Sequence, residues 1–381
     1  MLLGVVGKSN VGKTTLFSAA TLVDAEISNR IFTTIKPNKG VTFAKAKCPC
    51  QELKVKCSPK NSKCINGIRY VPVSIIDVAG LVPDAHKGRG LGNQFLSDIM
   101  TAEVLILVID ASGSTDKDGN PVGLDEHDPE EDIEFFKKEI DYWILGILTK
   151  NWGQIKRKAQ NEKFPDLVYA QISGLNLKKE YVDEIIKKMD LNPDSPEDDV
   201  LRFCSLLREK SKPMIIAANK MDLLGSVENT GKIGAAMPCA AEAEYALRRA
   251  AEKGLISYEG GSDFTVKGEL NERQKQALEK IRSILRNGST GVQEIIDKAV
   301  FMNNIVVYPV ENEHKFSDKK GNVLPDAFLV EKGSTALGLA FKVHEDIGKK
   351  FISAVDARTG KRISADYALK DGDVISIKAG H

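Results

Sequence analysis

The segment that most constrains the fold of this chain is a glycine-rich loop close to its start. Residues Gly7 to Thr14 read GKSNVGKT, and they lie between a short apolar run and a segment of helical character. Strand, glycine-rich loop and helix in this order form a cradle for phosphate, because loop N–H groups and the helix N-terminus converge on anionic oxygens. The pattern predicts an α/β nucleotide-binding domain with this loop at the carboxyl end of a parallel strand.

The loop gives a role to each of its polar residues. Lys13 is expected to reach the β- and γ-phosphates of a bound nucleotide, and the Thr14 hydroxyl is expected to ligate Mg²⁺. Gly7 and Gly12 permit backbone angles and a close approach that a Cβ would obstruct. The residues expected to bind the nucleotide here are Ser9, Asn10, Val11, Gly12, Lys13, Thr14 and Thr15.

A second loop, Asp77 to Gly80, follows a predicted strand and matches the pattern D-x-x-G. Its carboxylate can hold a Mg²⁺-bound water, and the Gly80 N–H can meet a γ-phosphate. Thr34 lies on the loop between the two motifs, where its hydroxyl could complete the Mg²⁺ shell. We therefore expect Lys13, Thr34 and Gly80 to act in catalysis, with an ordinary loop threonine as the alternative for Thr34.

The residues Asn219 to Asp222 read NKMD at the end of a later apolar strand, and they indicate which base is bound. A carboxylate at Asp222 accepts two hydrogen bonds from guanine, whereas adenine lacks that paired donor edge. The stem of Lys220 can cover the base, and Asn219 can tie this loop to the phosphate loop. A backbone N–H of Ala240 or Ala241 is the candidate contact for the guanine O6 atom.

The pattern of apolar residues divides the chain into three parts. Continuous apolar strands at 104–110 and 213–218 are typical of a parallel sheet that is buried on both faces. The segment between them is too long for a loop, and its apolar residues recur three or four positions apart, which predicts an inserted helical domain. Short strands punctuated by glycine follow residue 305 and predict a small α+β module. The expected boundaries are 1–113 with 213–304 for the nucleotide domain, 114–212 for the helical insertion, and 305–381 for the module.

At this point the chain resembles the Obg-like group of translation-factor-related GTPases, in particular its YchF-type branch. Phe32 to Asn38 are similar to that group's first switch, and Asp77 to Val82 and Gly88 to Ile99 are similar to its second switch. The resemblance extends over nearly the whole chain. It implies a P-loop GTPase domain with a mostly parallel sheet, an inserted α-helical domain and a C-terminal β-grasp (ubiquitin-like, TGS) domain.

The resemblance also implies metals and a reaction, the hydrolysis of GTP to GDP and phosphate. It implies Thr14 and Thr34 as Mg²⁺ ligands, and Asn10 matches an asparagine with which potassium-activated relatives help to hold K⁺. Leu81 stands where many GTPases have a glutamine that orients the attacking water, so we expect slow intrinsic hydrolysis. The candidate helpers are His86, a K⁺ ion or a partner surface, and for His86 an ordinary surface position is the favoured alternative.

The base preference departs from the YchF-type branch. Most YchF-type proteins carry a degenerate fourth motif and prefer ATP, whereas this chain has the intact sequence Asn219 to Asp222. We therefore expect GTP as the ligand. The alternative is an ATP-preferring, YchF-like ATPase that regulates stress responses or translation, and a third hypothesis is a scaffold whose nucleotide site only stabilises the fold.

Four of the six cysteines lie close together in the segment that joins two predicted strands. They are Cys48, Cys50, Cys57 and Cys64. Four thiolates can enclose a tetrahedral Zn²⁺, but this spacing lacks the paired C-x-x-C of common zinc sites. Free cysteines on an extended hairpin are therefore the favoured interpretation, and a zinc site is the alternative.

The charge balance and the termini limit the expected partners. With 54 basic and 53 acidic residues, no global field attracts the chain to nucleic acid or membrane, so an RNA contact must use local patches. The cluster 156–158 is expected to be a solvated face, and the resemblance implies the ribosome or RNA as partner. The sequence shows no leader, lipidation signal or apolar run of bilayer length, and its cysteines favour a reducing compartment. We therefore expect a cytoplasmic protein without a membrane contact.

Overall fold

A computed structural model of the chain describes residues 1–21, 38–81, 83–87, 92–223, 225–286 and 288–380, without the side chains of 92–94. Thr34 and most of the predicted first switch lie outside the described residues, as do residues 88–91 of the predicted second switch. The chain divides into two compact units. The smaller unit comprises Met1, Val41–Val73 and Ile296–His381, and the larger one comprises Leu2–Gly40 and Ser74–Ile295.

The described residues of the two units form the following strands and helices. The strands are β1 (Leu2–Val6), β2 (Asn38–Lys47), β3 (Lys63–Ile65), β4 (Ile68–Asp77), β5 (Val104–Asp110), β6 (Met214–Asn219), β7 (Met237–Pro238), β8 (Ile256–Ser257), β9 (Thr265–Val266), β10 (Asn304–Val310), β11 (Phe328–Glu331), β12 (Phe351–Asp356), β13 (Lys361–Ile363) and β14 (Val374–Ala379). The helices are α1 (Lys13–Thr21), α2 (Gly92–Thr101), α3 (Pro129–Thr149), α4 (Trp152–Lys158), α5 (Phe164–Ile172), α6 (Lys179–Met189), α7 (Glu197–Ser211), α8 (Ser226–Lys232), α9 (Ala241–Glu252), α10 (Glu272–Leu285), α11 (Val292–Phe301), α12 (Ala336–Val343) and α13 (Glu345–Lys349).

The larger unit is built on a parallel sheet in the order β4, β1, β5, β6, β7. Every residue of β5 is buried, as are the last four residues of β1. Such burial is expected for parallel strands that are covered on both faces, and it explains their continuous apolar sequence. Because the strands run in one direction, the loops that follow β1, β4, β5 and β6 lie at the same edge of the sheet.

The predicted helical insertion consists of the five helices α3 to α7. The first of them begins after Asp128, whose carboxylate accepts the Glu130 N–H, and proline occupies the first helical position. The apolar faces of these helices do not form a separate core. Phe136 and Phe203 pack in one continuous cluster with Leu107 of the sheet. The helices and the sheet therefore share one hydrophobic core, and the limits 114–212 remain a prediction.

The smaller unit is built on a mixed sheet in the order β11, β10, β14, β12, β13. Strands β10 and β14 run parallel, and the other neighbours run antiparallel. Helix α12 packs its apolar face on this sheet, with Leu339 fully buried beside Val307 and Ile375. A mixed sheet with one principal helix is the architecture predicted for the C-terminal module.

Residues 41–73, which the predicted boundaries assign to the nucleotide domain, belong to the same unit as the C-terminal module. Strands β3 and β4 form a hairpin whose two turn residues, Asn66 and Gly67, have φ angles of 49° and 78°. Such a turn matches the twist of the two strands. The loop before β3 contacts the module directly, since the Lys60 N–H donates to the Pro325 carbonyl at 2.7 Å. Among the described residues, no helix is long and apolar enough to cross a bilayer.

Candidate nucleotide-binding site

The phosphate loop joins β1 to α1, and its backbone requires glycine at two positions. Gly7 and Gly12 have φ angles of 142° and 97°, a region that side chains rarely adopt. A Cβ on Gly12 would lie 2.2 Å from Nδ2 of Asn219, and a Cβ on Gly7 would lie 2.4 Å from the Val108 carbonyl oxygen. The loop is therefore held closely between the ends of β5 and β6, as a phosphate cradle requires.

Lys13 lies inside this loop, where its charge is poorly solvated. The side chain is buried, and its ammonium donates to the Lys8 carbonyl at 2.6 Å. Burial lowers the pKa of Lys13 to about 8, against the opposing attraction of the Asp77 carboxylate. A polyphosphate beside the ammonium would favour the charged form. The residue predicted to bind the phosphates is thus a buried cation that an anionic ligand would stabilise.

Thr14 and Asp77 lie together where α1 begins and β4 ends. The Thr14 hydroxyl donates to Asp77 Oδ2 at 2.7 Å, and Asp77 is fully buried. Asp77 Oδ1 has no hydrogen-bond partner among the described residues. Burial raises the pKa of Asp77, opposed by Lys13 and by the Thr14 hydrogen bond. A hydroxyl and a carboxylate with an uncommitted oxygen suit a hard cation such as Mg²⁺, directly or through water, so the predicted pair fits this ion.

Asn219 connects three loops of the site. Its amide donates to the Val11 carbonyl at 2.9 Å, and its Oδ1 accepts the Ala241 N–H at 3.0 Å. The side chain is only 4% exposed, so both hydrogen bonds are shielded from water. The predicted tie between the base motif and the phosphate loop is therefore present in the geometry.

Lys220 has a partner that the sequence did not indicate. Its ammonium donates to Asp110 Oδ2 at 2.8 Å and to the Ser114 hydroxyl at 3.2 Å. Burial alone would raise the pKa of Asp110, but the hydrogen bonds from Lys220 and Ser112 lower it overall. The position of Asp110 at the carboxyl end of a buried strand was the available signal. Asp222, two residues after Lys220, is exposed.

The two alanines predicted to meet guanine O6 do not offer uncommitted N–H groups. The Ala240 N–H donates to the Thr290 carbonyl at 2.8 Å, and the Ala241 N–H donates to Asn219. Residues 289–291 hold this arrangement, since Gly291 packs so closely on Pro238 that a Cβ would lie 1.9 Å from its carbonyl oxygen. A contact of either N–H with guanine O6 would require one of these bonds to exchange, and this contact remains a prediction.

The loop that follows β5 contacts the phosphate loop. The Lys8 ammonium donates to the Thr115 carbonyl and pairs with Asp132, each at 2.8 Å. The Asn10 amide donates to the Gly119 carbonyl at 2.8 Å, and Asn10 has a left-handed φ of 62°. The side chain predicted to help hold K⁺ is therefore oriented by a neighbouring loop.

Comparison with known proteins decides the family. A family model described as "Obg-like GTPase YGR210-like, G4 motif-containing domain" matches residues 217–312, a model of 50S ribosome-binding GTPases matches 2–150, and the TGS domain matches 319–379. A GTP-binding protein of Methanocaldococcus jannaschii is 51% identical over 99% of this chain and 98% of its own length. The chain belongs to the Obg-like GTPases.

Solved structures and more distant relatives agree with this assignment. A GTP-binding protein of Pyrococcus horikoshii is 40% identical with a TM-score of 0.79, and the match covers all of both chains. The YchF GTPase of Schizosaccharomyces pombe, at 18% identity and a TM-score of 0.56 over 99% of this chain and 97% of its own, shares the fold. The ribosome-binding ATPase YchF of Bacillus subtilis is 27% identical over 98% of each chain. The predicted family and fold class are confirmed.

In this Obg-like GTPase the residues between the two parts of the predicted second switch contact helix α3. Leu81 is 2% exposed and packs in the core, so its side chain cannot position water. Glu139 of α3 accepts hydrogen bonds from the N–H groups of Asp84 and His86 at 3.0 Å, and its Oε2 lies 2.7 Å from His86 Nδ1. The His86 ring also stacks on Tyr142, with 5.3 Å between ring centroids. The described contacts of His86 are thus structural ones with α3.

The four predicted metal-ligand cysteines come together in the smaller unit. Their sulfur atoms all lie within 4.8 Å of one another. Cys48 and Cys50 are buried, and Cys57 and Cys64 are partly exposed. The favoured interpretation, an extended hairpin with free cysteines, does not anticipate this cluster, because the sequence spacing says nothing about how the loop folds back.

Proposed function

We propose that this Obg-like GTPase binds GTP and hydrolyses it to GDP and phosphate as a Mg²⁺-dependent switch. The observation that carries the proposal is the position of Asn219, which joins the end of β6 to the phosphate loop at Val11. Base and phosphate recognition are thereby fixed relative to each other. The Thr14 and Asp77 pair lies at the same edge of the sheet.

Each candidate site residue at the carboxyl edge of the parallel sheet has a distinct proposed role. Lys13 binds the β- and γ-phosphates once its ammonium exchanges the Lys8 carbonyl for phosphate oxygens. Thr14 would ligate Mg²⁺, Asp77 would hold a water bound to that ion, and the ion would neutralise phosphate charge. Gly80 would offer its N–H to the γ-phosphate, and a Cβ there would lie 2.6 Å from Ser9 Oγ and 3.1 Å from the Ser9 nitrogen, so a larger residue would have to displace Ser9. Thr34 completes the Mg²⁺ shell in this proposal.

Asp222 selects the base in this proposal. Its carboxylate is exposed and follows Lys220, whose ammonium is held by Asp110. Guanine offers two donors to such a carboxylate, and adenine offers it none in that arrangement. ATP is the second candidate, because several relatives carry the name ribosome-binding ATPase YchF. The intact motif favours GTP.

Hydrolysis is proposed to be slow in the isolated protein. Leu81 is committed to the core and His86 to Glu139, so neither side chain is placed to orient water. The direct test is release of phosphate from GTP with Mg²⁺, in K⁺ and in Na⁺. We expect a slow rate that rises in K⁺ and falls with Asn10→Ala, whereas equal rates in the two ions would remove K⁺ from the proposal. His86→Ala should leave the rate unchanged.

The ribosome or RNA is the proposed partner. This rests on the names of the relatives and on the TGS domain, since the overall charge is nearly balanced. Co-sedimentation with ribosomes should be stronger with a non-hydrolysable GTP analogue than with GDP. Equal sedimentation in both states would favour a scaffold whose nucleotide only stabilises the fold, and enhancement by an ATP analogue alone would favour the ATPase alternative.

A further inference from the structure

Four cysteines of the smaller unit form a cluster with the dimensions of a metal site. All four sulfur atoms lie within 4.8 Å of one another, and those of Cys50 and Cys64 are 3.9 Å apart. A tetrahedral zinc with Zn–S bonds of about 2.3 Å requires sulfur separations of about 3.8 Å. A disulfide requires about 2.05 Å, and all four cysteines are free thiols. The separations thus match a shared ion more closely than paired sulfurs.

The fold brings these residues together through a hairpin rather than through a C-x-x-C turn. Cys48 and Cys50 follow β2, and the Cys48 N–H donates to the Gly67 carbonyl at 2.8 Å, in the turn between β3 and β4. Cys64 lies on β3, where its register partner on β4 is Arg69. Cys57 comes from the loop between, which returns to the cluster. Three separate backbone segments thus converge on one point.

A buried cation beside the cluster requires a counter-charge. Arg69 is 0% exposed, and its guanidinium donates to the Cys48 sulfur at 3.4 Å, to the Ser62 hydroxyl at 3.0 Å and to the Leu324 carbonyl at 3.0 Å. None of these described partners is a carboxylate. An uncompensated buried charge is costly. The Tyr308 ring, 5.3 Å from the guanidinium, and the Asp326 carboxylate, which interacts with it electrostatically, offset part of this charge. Four thiolates around a divalent ion carry a net charge of about −2 and would supply further compensation directly at Cys48.

We propose that Cys48, Cys50, Cys57 and Cys64 hold one Zn²⁺ in a tetrahedral site, with Arg69 as a hydrogen-bond donor to the Cys48 thiolate. An all-sulfur tetrahedral set selects zinc or iron among biological metals, and a closed four-ligand site is structural. The site is separate from the nucleotide-binding residues in sequence and in unit, so it does not depend on the proposed function.

The proposed zinc site would stabilise the packing of residues 57–64 against the C-terminal module. Beyond Arg69, the Ser58 N–H donates to the Val323 carbonyl at 2.9 Å, and the Asn61 amide donates to the Ala327 carbonyl at 3.1 Å. These contacts lie in the same stretch as Cys57, between two proposed ligands. Removal of the ion should therefore release the loop, and the amide protons of 58–61 should exchange with solvent faster.

The test is the metal content of the full chain, purified without a metal-affinity step. We expect about one zinc per chain by elemental mass spectrometry, loss of that zinc in Cys57→Ser and Cys64→Ser, and retention in Cys204→Ala, a cysteine outside the cluster. Circular dichroism and cooperative thermal unfolding of each variant check that it is folded. Absence of zinc from the wild type, together with failure to take up added Zn²⁺ under reducing conditions, would overturn the proposal, as would stoichiometric iron.

Two measurements on the wild type do not depend on a variant that folds. Cobalt substitution should give the strong visible bands of a tetrahedral tetrathiolate, and chelation should accelerate amide exchange at 58–61 while leaving 7–14 unchanged. Weak bands of octahedral cobalt would contradict the site.

Arg69→Met should weaken zinc binding about tenfold in competition with a chromogenic chelator. An unchanged zinc affinity would remove Arg69 from the site.

Discussion

The nucleotide site and the cysteine cluster both bring together distant parts of the chain. They differ in how much of each site can be predicted from the sequence. The phosphate-binding residues are contiguous, and parallel strands necessarily deliver the later motifs to the same edge. The cysteines are spread over three backbone segments whose meeting depends on the turn at 66–67 and on a returning loop. Contiguous motifs on a regular sheet can thus be located from sequence, whereas a cluster built by loop closure requires the tertiary structure.

The strongest test of this comparison is the removal of the phosphate-binding cation. Lys13→Ala deletes an ammonium that would contact two phosphates, and each such bond contributes about 1.5–3 kcal/mol. We expect GTP affinity to fall on the order of 10³-fold. Binding of a fluorescent GTP analogue measures it. The exposed Lys158→Ala is the control, and a loss below about tenfold would show that the loop is not the main phosphate contact.

The second prediction concerns the base. Asp222→Asn should weaken GTP binding on the order of 10²-fold, because the pair of charged hydrogen bonds to guanine is lost. Xanthosine triphosphate, whose base offers an acceptor where guanine has an amino group, should gain affinity in the same variant. Competition binding with GTP and xanthosine triphosphate measures this change in base preference. The exposed Asp194→Asn should change neither, and an unaltered base preference in Asp222→Asn would exclude this carboxylate from base recognition.

The third prediction concerns Asn219, which holds the loops of the nucleotide site together and is not itself proposed to contact the ligand. Asn219→Ala leaves the Val11 carbonyl and the Ala241 N–H without their partner inside the protein. Each unsatisfied buried group costs about 1–3 kcal/mol, so the free energy of unfolding should fall by about that amount or more. Urea unfolding without nucleotide measures it. Asn161→Ala, at an exposed position, is the control, and an unchanged stability would mean that Asn219 does not join the loops.

The smallest effect is expected from pH. The pKa of Lys13 is lowered to about 8, from 10.5, so the free protein loses this proton as the pH rises through 8. Binding above that pH must take up a proton, and GTP affinity should fall by up to about tenfold per pH unit, while it stays flat from about 6.5 to 7.5. Calorimetry in buffers of different ionisation enthalpy measures the uptake. Lys13→Arg, which keeps its charge, should give a flatter profile; a parallel decline in both proteins would assign the effect to another group.

Residues on regular elements could be placed from the sequence, whereas residues with long-range contacts could not. Leu107, Asp77 and Lys13 belong to the first group, because their positions follow from the direction of a strand or the start of a helix. Lys220 pairs with Asp110. This pair could not be predicted from the sequence, because it depends on β5 and β6 being neighbouring strands in a particular register. A backbone N–H of Ala240 or Ala241 was the predicted contact for guanine O6, and the sequence did not indicate that the Ala240 N–H donates to the carbonyl of Thr290, about fifty residues further along the chain. Long-range backbone hydrogen bonds leave no local pattern in a sequence.

The central claim is that this Obg-like GTPase selects a guanine nucleotide through its intact fourth motif. It is tested most directly by measuring the dissociation constants of GTP and ATP for the same wild-type preparation with Mg²⁺ at pH 7. The account predicts that GTP binds at least about 100-fold more tightly than ATP, because adenine leaves the Asp222 carboxylate unpaired. Equal affinities, or tighter binding of ATP, would contradict it.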